Sequence, residues 1–232
     1  MTADTSNHQK NYYESHDRLF VSVDCIVFGL NGNELQLLLI KRDFEPHKGQ
    51  LSLMGGFVKA DESVDDAARR VLKDLTGLEG VYMNQVGTFG EVERDPGQRV
   101  VSVAYSALLN FPDIDHETVR AHNAQWVSID EIPKLCFDHN KMIEKAIVKL
   151  GQKFRVEPLV FNLLPDRFTL TQLQQLYEVM LGTKIDKRNF RRRALENSCI
   201  VPTDMVDKHN SRRGARLYVY SPEESKNEHF KI

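Results

Sequence analysis

Residues 56–78 read GFVKADESVDDAARRVLKDLTGL and combine a leading glycine, Glu62, Arg70 and a closing Gly77–Leu78. Carboxylates gathered on one helix face can hold Mg²⁺ or Mn²⁺ over a diphosphate, because these hard cations want several oxygen ligands converging on one point. The metal then supplies most of the charge stabilisation and generates the nucleophile. Here the supply of oxygens is short. After Arg70 the turn offers Asp74, while Val71 and Leu75 are branched hydrocarbons. A second chemistry is written at residues 187–193, KRNFRRR, and again at 208–220, KHNSRRGARLYVY. Arginine can fork onto guanine and asparagine onto adenine, whereas lysine and further arginines suit phosphates or the minor groove.

The elements that carry these residues follow from periodicity. Val64, Ala67, Ala68, Val71, Leu72 and Leu75 recur at helical spacing, with Ser63 as N-cap and Asp65 and Asp66 in the first turn, where the helix dipole favours negative charge. Upstream, Leu19–Leu30 and Glu34–Arg42 form a hairpin about Asn31–Gly32, and the sheet continues through Leu51–Phe57. Strands are expected at Val81–Arg94, at Val100–Asn110 and around Trp126. A short helix at Asp130–Leu135 and a longer connector helix at Asn140–Phe154 follow.

From Pro158 the pattern changes to short helices and a hairpin. Leu159–Leu164 forms a first helix, stopped by Pro165. Thr169 or Thr171 caps a second, with Leu170, Leu173, Leu176, Tyr177 and Met180 on its apolar face, and Gly182 ends it. Asp186 caps a third. There Phe190, Ala194 and Leu195 face the core, and Lys187, Arg188, Asn189, Arg191, Arg192 and Arg193 fill the remaining face. A basic amphipathic helix directly after a helix and turn is what a recognition helix requires, and the strand ending at Tyr220 is its wing.

A chain of 232 residues, 41% hydrophobic and 28% charged, has room for two modest domains. No apolar run approaches the roughly 20 residues that span a bilayer, and the first 18 residues are polar without a signal-peptide core, so a cytoplasmic location is expected. Cys25, Cys136 and Cys199 are far apart and free of metal spacing, so neither a disulfide framework nor a metal or other cofactor is expected. The net charge of −2 conceals an asymmetry: residues 1–150 carry 16 Lys and Arg against 23 Asp and Glu, and residues 184–216 carry ten against four. The second region seeks phosphate.

Gly56, Glu62, Arg70, Leu72, Gly77 and Leu78 resemble the frame of a Nudix box, in which the three metal-binding acids would stand at Val71, Asp74 and Leu75. Leu35–Arg42, Pro46–Gly56 and Gln125–Leu135 are similar to the strands and short helix around that box. Together with the basic helix and a wing similar to Gly-Arg-Pro-Ala-x-Leu-Tyr, here without its proline, the chain resembles the Nudix-related transcriptional regulators of the NrtR family. The branch it most resembles is the Nudix-type AraR, the repressors of arabinose utilisation. This resemblance implies an α+β protein: a Nudix-like α/β/α sandwich at 19–152, including the connector helix, then a winged helix-turn-helix at 153–222, flanked by a polar arm at 1–18 and a polar tail at 223–232. It implies a homodimer on double-stranded, palindromic operator DNA and no catalysis.

Under that resemblance, DNA contacts fall to Lys187, Arg188, Asn189, Arg191, Arg192, Arg212, Arg213 and Arg216. The acidic N-terminal half and the missing metal ligands favour a neutral sugar, L-arabinose, as effector, with ADP-ribose or a related diphosphate as the alternative. Asp24, a charge inside an apolar strand, together with Lys41, Lys59, Glu91 and Tyr105, are the candidate effector contacts. Two rival readings stay open: an active hydrolase using Glu62, Asp74 and Glu91 or Glu93, and a module that binds RNA or protein through the basic helix.

Overall fold

A computed structural model describes residues 13–31, 34–110, 116–121, 123–154, 157–208 and 214–225. Strand β1 (Phe20–Asn31) pairs antiparallel with β2 (Glu34–Lys41), in a register that sets Val27 opposite Leu38. Short strands β3 (Leu51–Ser52) and β4 (Met54–Phe57) extend β2 and β1 respectively. Helix α1 (Val64–Thr76) carries the sheet to β5 (Met83–Phe89), which pairs antiparallel with β6 (Val100–Asn110). β6 runs parallel to β1 along its whole length. A short helix α2 (His116–Ala121) then leads to β7 (Ala124–Ser128) on the far side of β2.

Strand β1 is buried on both faces, and its alternation sorts the two helix layers. Val23, Cys25 and Val27 pack with Ala67, Ala68, Val71 and Leu72 of α1. Ile26, Phe28 and Leu30 pack with Met142, Ile143 and Ala146 of α3 (His139–Phe154). The result is the expected α/β/α sandwich, with Asp24 on the α3 side.

The winged helix-turn-helix follows. It comprises β8 (Phe168–Thr169), α4 (Leu170–Leu181), α5 (Lys187–Glu196), β9 (Ile200–Asp207) and β10 (Ala215–Tyr220), with β10 central in a three-stranded sheet. Thr169 and Gln172 form a reciprocal capping box, and Gly182 at φ 60° closes α4 in the left-handed conformation. The core beneath α3 does not stop at the domain boundary. Leu150 and Phe154 lead through Leu159, Val160 and Leu163 to Leu173, Tyr177, Phe190 and Tyr218 in one continuous cluster. Among the described residues no helix is long and apolar enough to cross a membrane.

Three expected elements are shorter or differently placed. β5 ends at Phe89, because Gly90 begins a loop that Arg99 pins by donating to the carbonyls of Gly90 and Glu91. The helix expected at Asp130–Leu135 is a single 3-10 turn, Ile129–Glu131, since Pro133 forces Ile132 into extended backbone. The segment expected as a helix at Leu159–Leu164 is also 3-10, over Pro158–Leu163. Leu195, assigned to the core face of α5, is 52% exposed, because Phe190 and Ala194 already define that face and Leu195 is turned one residue beyond it.

Candidate effector cleft and nucleic-acid interface

The box segment folds as a structural unit. Ser63 Oγ accepts the Asp66 amide at 3.1 Å, and Gly77 at φ 73° closes α1. Arg70 forks onto Glu62, with Nε 2.8 Å and Nη2 2.6 Å from its two oxygens, and the Lys59 amide donates to the same carboxylate at 2.9 Å. Those bonds hold the Glu62 carboxyl down at about 2, the Arg70 contact being the larger cause. A Cβ on Gly56 would stand 2.8 Å from Val71 Cγ2, so the glycine lets β4 approach α1 closely.

Behind this unit lies a cleft of about 300 Å³, lined by residues from β1, β2, β4, the 91–99 loop and the start of α3. Its floor is a buried charged network. Asp24 accepts from Ser102 Oγ at 2.5 Å and lies 3.6 Å from Arg94 Nη2 and 3.5 Å from His139 Nε2. Arg94, 4% exposed as a side chain, forks onto Asp138 at 3.2 and 2.8 Å. His139 Nδ1 accepts from the Leu53 amide at 3.2 Å, so the neutral ring carries its proton on Nε2, toward Asp24. Burial holds this imidazole below its ordinary pKa, against the opposing pull of Asp24. Arg42, Phe44 and Phe137 stand at the cleft wall, and Arg94 and Phe137 also line an adjoining cavity of about 810 Å³.

Of the residues chosen from sequence, Asp24 alone lines this cleft. Lys41 is exposed; its chain neighbours Ile40, on β2, and Arg42, just past the strand's end, line the cleft instead. Lys59 is exposed on the turn before α1. Glu91 lines the adjoining cavity. Tyr105 is buried beneath α1, its hydroxyl donating to Asp65, so it secures the helix from the opposite face of the sheet. Sequence reasoning missed Arg42, Arg94, Phe137 and His139, which come from separate segments and carry no local pattern.

The second candidate surface is the face of α5. Asp186 caps it by accepting the Asn189 amide at 2.8 Å. Lys187, Arg188, Asn189, Arg191, Arg192 and Arg193 are all exposed, while Phe190 and Ala194 anchor the helix. Arg192 pairs with Glu196 at 2.8 Å. Arg216 is exposed on β10; Arg212 and Arg213 lie outside the described residues. Gly214 takes φ 74°, and a Cβ there would stand 2.5 Å from Val206 Cγ1, so the position where the proline is missing calls for glycine.

Residues 18–146 match the NUDIX domain family, and residues 160–220 match the NrtR DNA-binding winged helix domain. The chain belongs to the NrtR family. One NrtR-type relative, the ADPR responsive transcriptional repressor NtrR of Acinetobacter baylyi, is 35% identical over 220 residues, which is 93% of this chain and 86% of that protein. Shewanella oneidensis NrtR, solved in complex with a 27mer DNA, aligns with a TM-score of 0.79 at 29% identity, covering 91% of this chain and 98% of that one. The NUDIX domain of the same NrtR, solved with ADP ribose, aligns with a TM-score of 0.53 at 25% identity over 64% of this chain and 99% of its own. These likenesses carry the NrtR family; they lend nothing to closeness with the arabinose-responsive branch.

Nudix chemistry implies a divalent cation, and the donor set fits one poorly. Val71 is buried against Gly56, Leu75 lines the cleft as hydrocarbon, and Asp74 faces Arg70 at 3.7 Å. Among the described residues no three His, Cys, Asp or Glu side chains cluster as they would around a metal ion.

Proposed function

We propose that this chain is a DNA-binding transcriptional repressor that senses ADP-ribose in its Nudix cleft, binds it without hydrolysis, and leaves operator DNA when it does so. The observation that carries this reading is the match of both halves together to an ADP-ribose-responsive repressor across 93% of the chain. Arabinose, the leading expectation from sequence, gives way to ADP-ribose, the alternative. Support from the cleft is chemical: Arg42 is a cation stacked between aromatic rings and suited to a nucleotide, and the cleft opens at Arg94 and Phe137 toward a larger cavity, leaving room for more than a pentose. Support for binding without turnover comes from Glu62, tied up by Arg70, and from the hydrocarbons at 71 and 75.

The DNA-bearing form is a homodimer in this proposal, since two-fold symmetry would set two recognition helices about one helical turn apart on a palindrome. Lys187, Arg188, Asn189 and Arg191 at the start of α5 reach base edges and flanking phosphates. Release requires that ADP-ribose bind the DNA-incompetent arrangement more tightly; a 100-fold fall in operator affinity needs about 2.7 kcal/mol of coupling.

Fluorescence anisotropy on the intergenic DNA beside the chain's own gene tests this, with ADP-ribose and L-arabinose in parallel. Specific binding lost with ADP-ribose alone is expected. Loss with arabinose alone, or binding without sequence preference, overturns the reading.

A further inference from the structure

Gln174 and Glu178 stand one turn apart on α4, and both reach across to the main chain of Ile185, the residue before the Asp186 cap of α5. The Ile185 amide donates to Glu178 Oε1 at 3.0 Å, and Gln174 Nε2 donates to the Ile185 carbonyl at 3.0 Å. Gln174 Nε2 also donates to Glu178 Oε1 at 2.9 Å, which closes the clasp, and Lys184 Nζ donates to Glu178 Oε2 at 3.1 Å. The Glu178 side chain is 12% exposed, and these donors hold its carboxyl down at about 2, the Ile185 amide being the largest cause.

A Gln and a Glu four residues apart are an ordinary stabilising pair on a helix surface. Such a pair has no need to take both main-chain polar groups of one residue in the next segment. The Ile185 side chain packs against the core, so the clasp fixes the orientation of its peptide groups. On its other side the turn borders a cavity of about 490 Å³ at Gly182, Thr183 and Lys184, with Glu34 and Asp130 of the Nudix half among the lining residues. Helix α5 is ten residues long, with Phe190 and Ala194 as its buried anchors. Its direction is therefore sensitive to where its first residue is held, and a recognition site works only within about 0.5 Å of its productive geometry.

We propose that Glu178 and Gln174 are positioning residues for operator recognition: without touching DNA, they set the angle at which α5 presents Arg188, Asn189 and Arg191 to base edges. The inference rests on the reading of α5 as the recognition helix. For Glu178, electrostatics alone gives the opposite expectation. Removing one negative charge beside a basic helix should tighten binding to every duplex, whereas loss of aim weakens the specific site alone.

Fluorescence anisotropy of the full chain tests it on Glu178→Ala, Gln174→Ala and Glu178→Gln, with the intergenic duplex beside the chain's own gene and a scrambled duplex of the same composition. Glu178→Ala is expected to weaken the intergenic duplex by about tenfold or more, the scale of one misplaced base contact, and to hold or tighten the scrambled one. Gln174→Ala should show the same pattern to a smaller degree, because Glu178 still accepts the Ile185 amide. Glu178→Gln should stay within about twofold of the parent, since an amide oxygen can accept the same bonds. Intergenic affinity kept in Glu178→Ala, both duplexes tightened together, or a Glu178→Gln variant that fails like the alanine overturns the proposal. Should Glu178→Ala weaken both duplexes alike, as an unfolded winged helix would, Gln174→Ala decides, and the same uniform loss there also overturns it. A parent chain that prefers neither duplex removes the recognition-helix reading as well.

Discussion

Arg94 and Asp138 meet fork to fork, with guanidinium nitrogens 3.2 and 2.8 Å from the two carboxylate oxygens, and so tie the loop over the cleft to the residue that leads into α3. Helix α3 continues to the winged helix, where Gly151 packs closely enough that a Cβ would stand 3.4 Å from the Met180 carbonyl of α4. One helix therefore begins at the candidate cleft and ends against the helix-turn-helix. Under the proposed reading, a ligand that disturbed the Arg94 network would act on the helix that packs against the DNA-binding half.

Removing that guanidinium should be costly. Arg94→Ala leaves the buried Asp24 and the partly buried Asp138 without their cation, and breaking a buried pair this way costs about 3–5 kcal/mol. Urea unfolding of the full chain measures it. A loss below about 1 kcal/mol would mean that water reaches the network freely.

Acid should weaken the fold through His139. Its imidazole is held below the ordinary value in the folded chain, so as pH falls below about 6.5 the unfolded chain takes up a proton that the native chain does not. Stability is then full above that pH and declines through the interval down to the lowered folded value. Unfolding midpoints taken from about one pH unit above to about one unit below the ordinary imidazole value of about 6.5 should fall for the parent and fall less for His139→Gln. Glu62 adds a separate loss at lower pH, from about 4.5 down to about 2, because its folded carboxyl is lowered.

Restoring carboxylates to the box should harm the fold before it helps any chemistry. Val71 is 3% exposed, so Val71→Glu buries a charge and should lower the melting temperature sharply, whereas Leu75→Glu at the half-buried cleft wall should be tolerated. With ADP-ribose and Mn²⁺ the parent is expected to turn over well below about 1 per second, against the typical enzyme range. Product analysis showing faster hydrolysis would make the chain an enzyme.

The α5 contacts should separate by role. Arg191→Ala is expected to weaken operator binding at least tenfold and to relax sequence preference, as losing a base contact of about 1–3 kcal/mol does. Lys187→Ala should weaken all DNA alike and reduce the salt slope by about 1. Arg192, already paired with Glu196, should matter less than Arg191. Operator affinity within twofold of the parent for Arg191→Ala would show that α5 is not the reading helix.

Much of the architecture was legible along the chain because its causes are local. The alternation of β1, the helical spacing from Val64 to Leu75, the caps at Ser63, Thr169 and Asp186, and the basic face around Phe190 each depend on neighbours a few residues away. The cleft was not legible in that way. Asp24 stood out as a charge in an apolar strand, yet its partners Arg94, Ser102 and His139 belong to a loop, a strand and a helix start that only sheet pairing brings together. Tyr105 and Lys41 looked like ligand contacts because a strand sequence marks alternate sides without saying which side opens onto a cavity. Burial against α1 or α3 settles that, and burial is a property of the packed layers: local propensity and periodicity determined the elements, while long-range packing decided which of their faces became a site.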